Sequence, residues 1–232
     1  MSTSAKAIRV DELMQKAMQS LKAAKWFDAE QLAVRALQFA HGDADFERMA
    51  LIVPALQEAR RQRFQLALDA AKKTVKVLDG ELGEEPVLAP GAYLLQPPLV
   101  GADARRARLA SLARNHAVAI LCREPTNDMG LVPVVAIGGV TVRTRIKGWG
   151  KASKVDFQWF VEAIEQLGDS AIESLDVGQE PDRQVDDLMN ALDSVPEHEK
   201  LHQALVACCK LAAKSMRDRP ATLPELDDAE DE

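Results

Sequence analysis

Near the C-terminal end, His198-Glu199-Lys200-Leu201-His202 sets two imidazoles four residues apart, with a carboxylate beside the first. On a helix that spacing puts both rings on one face. Such a pair can hold Zn²⁺ while the glutamate activates a metal-bound water for hydrolysis. A second group, Arg123, Glu124 and Asp128, follows the apolar run Ala117-Val118-Ala119-Ile120-Leu121-Cys122. Ligands of open α/β sheets gather at the carboxyl ends of strands, so this loop is a natural binding position. Arg143 and Arg145 form a third group, alternating with apolar residues between Val140 and Ile146.

Each group also has a plainer account. Ser194 and Glu197 have the spacing of a capping box, and Pro196 suits a first helical turn. His198 and His202 are then ordinary helix-start residues, expected to be partly exposed. Arg123 and Glu124 serve as surface ion pairs, and Asn127-Asp128 shapes a turn. The pentapeptide resembles the zincin metallopeptidase signature. That resemblance implies zinc on His198 and His202, with Glu199 acting on the water. Around it the pattern changes: Val195-Pro196-Glu197 replaces an apolar lead-in, and Lys200 stands at a normally uncharged position. No later histidine supplies a third ligand, which leaves Glu124, Asp128 or Cys209. The expectation is therefore no metal and no catalytic residue here, with a zinc-dependent hydrolase using His198, Glu199 and His202 as the alternative.

These groups need a scaffold, and the stretch from Ala92 to Ile146 is the part that reads as sheet. Tyr93-Leu94-Leu95 is a short strand, Asp103 to Arg114 a helix, and Ala117–Cys122 an interior strand parallel to the first. Leu131–Ile137 and Val140–Ile146 complete a β-α-β-β-β core. Gly138-Gly139 suits a two-residue turn with both positions at positive φ. Pro133 marks its strand as an edge or a bulged strand. In the last strand Val142, Thr144 and Ile146 face one way and Arg143 and Arg145 the other, the pattern of one wet face.

The segment before the sheet carries helical apolar spacing, with breaks near Ala24-Lys25, His41-Gly42-Asp43 and Arg60-Arg61. Four helices in two hairpins follow. Leu13, Ala17, Trp26, Ala29, Ala33 and Ala36 repeat the spacing of Leu51, Ala55, Phe64, Ala67, Ala71 and Thr74. Ala17 and Ala29 allow close helix approach, and Trp26 or Phe64 plugs the turn of its hairpin. Over residues 10–78 this resembles the tetratricopeptide (TPR) repeat, departing from it at Ala24, Ala33, Ala71, Pro54, His41 and Asp79. The resemblance implies a helical surface for a protein partner. After the sheet, three apolar stripes predict helices around Phe157–Leu167, Val185–Leu192 and Leu201–Ala212, the first stopped by Gly168.

Charge is divided unevenly. The net charge is -7, yet residues 101–154 hold ten Lys/Arg against three Asp/Glu, and residues 155–232 hold six against 20. A basic middle and an acidic end most simply complement each other. In particular, Arg143 and Arg145 are expected to be covered by acids of the C-terminal segment. A basic surface for an anionic ligand or nucleic acid is the sharper reading. Trp149 is the one ring near the cluster, so nucleic acid is not expected to be a partner. No run approaches the ~18 apolar residues that would cross a bilayer, and Met1 to Arg9 does not resemble a signal peptide. Three cysteines read as reduced thiols of a cytoplasmic protein.

Together these features predict an α+β fold. TPR-like helices occupy residues 1–80, a linker 81–91, a small mixed core 92–154, C-terminal helices 155–219 and an acidic disordered tail 220–232. The predicted role is a non-catalytic interaction or scaffold protein. Partner identity and oligomeric state are not written in the sequence.

Overall fold

The computed structural model describes residues 3–125, 130–150 and 154–218, with side chains from residue 8 on. The fold is α+β. Helices α1 (Thr3–Lys22), α2 (Trp26–Gly42) and α3 (Phe46–Ala71) lead into strands β1 (Val75–Leu78) and β2 (Gly91–Leu95). Helix α4 (Gly101–Ala113) crosses to β3 (Val118–Arg123), followed by β4 (Leu131–Ile137) and β5 (Thr141–Lys147). Helices α5 (Phe157–Glu173), α6 (Pro181–Ser194) and α7 (Glu199–Asp218) complete the described chain.

The sheet runs in the order β1-β2-β3-β4-β5. The first three strands are parallel and the last two antiparallel to their neighbours. All five residues of β2 are buried, as expected for a parallel strand covered on both faces. Tyr93, Leu95, Val118, Cys122 and Val135 form the layer beneath α4. Ala92, Leu94, Ala119, Leu121 and Val134 belong to the larger core, which also takes in residues of α1, α2, α3, α5, α6 and α7.

Several elements differ from expectation. The predicted third and fourth helices are one helix, α3, running through Arg60-Arg61 and containing Pro54. Arg60-Arg61 contains no glycine or proline to break a helix, and Arg60 has a carboxylate partner within the fold. The expected second hairpin is therefore absent. Trp26 begins α2 at the α1–α2 turn, whereas Phe64 lies inside α3, and both are half-buried. Val75–Leu78 is a strand paired in parallel with β2. At the first turn Ala24 sits at φ 55°, a conformation that favours glycine. Ala17 and Ala29 are buried, as close helix approach requires.

Pro133 lies in an interior strand, between β3 and β5. The β3–β4 ladder ends where the Glu124 N–H donates to the Pro133 carbonyl. The β4–β5 loop spans Gly138 to Val140, and neither glycine has positive φ. They are needed for closeness instead: a Cβ on Gly138 would strike the Ser194 backbone, and one on Gly139 would strike Asn190. Gly168 lies within α5, which continues to Glu173. On β5, Val142 and Ile146 are buried while Thr141, Arg143, Arg145 and Lys147 are exposed. The free edge of β5 is partly closed by α5, where Ser170 Oγ donates to the Arg143 carbonyl and Trp159 Nε1 to that of Lys147.

Candidate functional site

Helix α7 lies antiparallel to α3, with Arg217 against Glu47 at one end and Glu197 against Arg63 at the other. The His-Glu-Lys-Leu-His stretch stands at the Glu197 end. Its histidines are not partly exposed as expected: His198 and His202 are 0% and 1% exposed. The predicted Ser194–Glu197 capping box is also absent. Ser194 closes α6 with its hydroxyl bonded to the Val140 carbonyl at 2.6 Å, and Glu197 turns to Arg63. His198 takes over the capping role, its Nδ1 accepting the Leu201 N–H at 3.3 Å.

Each ring is fixed in one tautomer by its neighbours. His198 Nδ1 accepts, so its proton is on Nε2, 3.2 Å from Asp169 Oδ1 and 3.5 Å from Glu165 Oε2. Neither approach has good hydrogen-bond geometry, and Nε2 is left without an aligned partner. His202 Nδ1–H donates to the His198 carbonyl at 2.9 Å, and its Nε2 faces Arg60 Nη1 at 3.4 Å. Burial depresses both pKa values. That of His202 falls to about 3, helped by the Arg60 charge, and that of His198 stays low despite the two carboxylates.

This geometry separates the two Nε2 atoms by environment. One faces carboxylates on α5 and the other a guanidinium on α3. A cation bound at His202 Nε2 would lie against Arg60 and would displace its contact. Glu199, half-buried at the first position of α7, has no place opposite a shared ligand point. Among the described residues no three His, Cys, Asp or Glu groups converge as a metal site.

What the stretch joins is a network of buried charge that sequence reasoning did not find. Arg63, wholly buried, donates to Glu30 at 2.8 Å and to Glu197 at 3.3 Å. Arg60 donates to the other Glu30 oxygen at 3.0 Å. Burial would raise the Glu30 pKa, but Arg63 and Arg60 outweigh it and hold the carboxyl below its ordinary range. Arg63 stays charged for the same reason, and its Nη1 has no partner among the described residues. Arg108 of α4 donates to the Ser194 and Asp193 carbonyls at the end of α6. The space beside Arg108 and Glu197 is about 30 Å³, about the volume of one water.

The other predicted residues do not converge with this joint. Arg123 is half-buried and gives both Nε and Nη2 to Gln96 Oε1, at 2.9 and 2.7 Å. Glu124 accepts from Arg143 Nε at 3.1 Å, across the β3–β5 end of the sheet. Asp128 lies outside the described residues, as does the acidic tail. The Arg143 guanidinium therefore pairs with a loop carboxylate and, among the described residues, with no acid of the C-terminal segment, and Arg145 is exposed. The basic middle and acidic end do meet elsewhere, where Arg105 pairs with Asp193 at 2.8 Å. The three thiols are buried, and burial raises Cys122 to about 11 and Cys209 to about 12, so neither offers a thiolate at neutral pH.

Two open features lie outside the predicted set. A cleft of about 260 Å³ between α2, α3 and α6 has Val34, Leu37, Leu56, Met189 and Leu192 as its apolar lining, with Arg60 and Asp193 beside them and Gln38 and Asn190 exposed. His41 of α2 and Asp186 of α6 bridge the same pair of helices at 2.6 Å. A wider cleft collects Lys73, Trp149, Lys154, Phe157 and Trp159. Both draw on elements far apart in sequence, so no local pattern announced them. Among the described residues no helix is long and apolar enough to cross a membrane. Comparison of the chain with protein-family models, curated proteins and solved structures finds no match.

Proposed function

We propose that this chain is a non-catalytic interaction protein whose front helices, together with α6, hold a protein partner in the cytoplasm. The observation that carries the reading is the cleft between α2, α3 and α6. Its apolar lining and exposed amide rim, Gln38 and Asn190, are the arrangement that seats one bulky side chain of a partner and bonds the backbone around it. The divergent histidines and the raised thiol pKa values lend the zinc-hydrolase alternative less support.

The test is site-specific photocrosslinking in the cells that make the protein. Benzoylphenylalanine at Gln38 or Asn190 is expected to give one discrete protein adduct, which disappears when Val34→Glu is added. The same probe at Leu109, exposed on α4, should give none. No adduct at the cleft, or equal adducts from Leu109, would remove the reading.

A further inference from the structure

Strand β5 presents Arg143, Arg145 and Lys147 on one exposed face. Alternate residues of a strand stand about 7 Å apart, the order of the step between phosphates in an extended nucleic-acid strand. Arg143 is 58% exposed and pairs with Glu124. Among the described residues no ion pair reaches Arg145 or Lys147. The chain leaves this strand through Gly148 into the wider cleft, of about 880 Å³, which is open to solvent.

That cleft adds what the sequence lacked. Trp149 is half-buried and packs edge-on against Trp159, with ring centroids 4.6 Å apart, and Phe157 lines the same space. Lys154 and Lys73 are exposed there without ionic partners among the described residues. Lys72 and Lys73 take φ of 50° and 58° in succession, a conformation glycine or asparagine adopts at less cost. The turn holds lysine at a cleft position where backbone preference alone would choose otherwise. Among the described residues the one acid lining the cleft, Asp156, caps α5 through the Trp159 N–H at 2.8 Å.

We infer that β5 and this cleft form a binding surface for single-stranded nucleic acid, with Arg143, Arg145 and Lys147 on successive phosphates, Lys73 and Lys154 at the cleft and a base against Trp149. The cations face away from Val142 and Ile146, while Trp149 and Phe157 pack with the core on their side. The nucleic-acid strand therefore passes over the edge of β5 from cations to rings, the two contacts that hold a single strand without reading its sequence. An acidic polypeptide would use the cations and leave the rings idle. The chain as a whole carries -7, so attraction is confined to this patch and falls quickly with salt.

Fluorescence anisotropy of the full chain with labelled oligo-dT and oligo-U of roughly 12 nucleotides tests this, with a polyglutamate peptide of equal charge as the comparison. Saturable oligonucleotide binding is expected at about 20 mM salt, weakened at least about tenfold by about 200 mM. The double variant Arg145→Glu with Lys147→Glu should weaken binding about tenfold or more and flatten the salt dependence. Trp149→Ala should weaken it with the salt slope unchanged, and Lys73→Glu gives an independent reading if Trp149→Ala fails to fold. No binding at low salt, unchanged binding by the double variant, or equal affinity for polyglutamate would overturn the inference.

Discussion

Between α3 and α7, Arg63 is wholly enclosed, shares Glu30 with Arg60 and holds Glu197 as a second carboxylate. On β5, Arg145 and Lys147 point into water with no counter-ion among the described residues. The two regions use the same kind of side chain under opposite conditions. In the first, removal from water makes each charge depend on its partner, so the network behaves as one unit and fixes how α2, α3 and α7 meet. In the second, solvent already stabilises the charge, so the fold has no need of it. The difference separates arginines that hold the molecule together from those available to something outside it.

The largest break in the comparison should come from Glu30→Ala. It strips Arg60 and Arg63 of their shared carboxylate and should cost about 3–5 kcal/mol in denaturant melts. A loss near that of a surface change would mean the joint is far wetter than its geometry implies.

Next in size is the response to acid. His202 is unprotonated in the folded state down to about pH 3, whereas in the unfolded chain it takes a proton near its ordinary pKa of about 6.5. The unfolded state therefore binds more protons between these values, so stability is full above about pH 6.5 and declines as pH falls. Between pH 7 and pH 4 this amounts to about 3 kcal/mol. His202→Gln should flatten the slope of stability against pH over that interval, read from melts at several pH values. An unchanged slope would place the acid response elsewhere.

A smaller effect is expected from Gly168→Ala. The added Cβ would fall on the His198 ring, so the ring or α5 must shift, at a cost of about 1–3 kcal/mol. The smallest effect belongs to the other side of the comparison. Arg145→Ala on β5 should leave the denaturation midpoint where it was, and so should Lys200→Ala, which breaks an exposed pair with Asp169.

Much of the scaffold could be read directly. Alternation in Val140–Ile146 marked a half-buried strand, and apolar spacing located α5, α6 and α7. What could not be read has a common cause. Arg60-Arg61 looks like a polar break because the carboxylates that neutralise Arg60 and Arg63 come from Glu30, 30 and 33 positions away, and Glu197, 134 positions away. His198 and His202 looked solvent-facing because Pro196 belongs to a helix start, yet α5 and α3 cover both rings. Gly168 looked like a stop, though its missing side chain makes room for His198. Local pattern determines the element, while distant partners decide whether a polar residue faces in or out. The same limit hid the cleft at Trp149, whose lysines come from the α3–β1 turn and the approach to α5.

The central claim is that the His-Glu-Lys-Leu-His stretch is a fixed internal joint rather than a catalytic centre. Long-range ¹H–¹⁵N correlation of the imidazoles, with and without added zinc, tests it most directly. The account predicts His202 neutral with its proton on Nδ1 down to about pH 4, His198 neutral at pH 7 with its proton on Nε2, and both spectra unmoved by equimolar zinc. Titration of His202 near pH 6.5, or loss of the His202 Nδ1 proton signature together with zinc-dependent shifts in both rings, would contradict it.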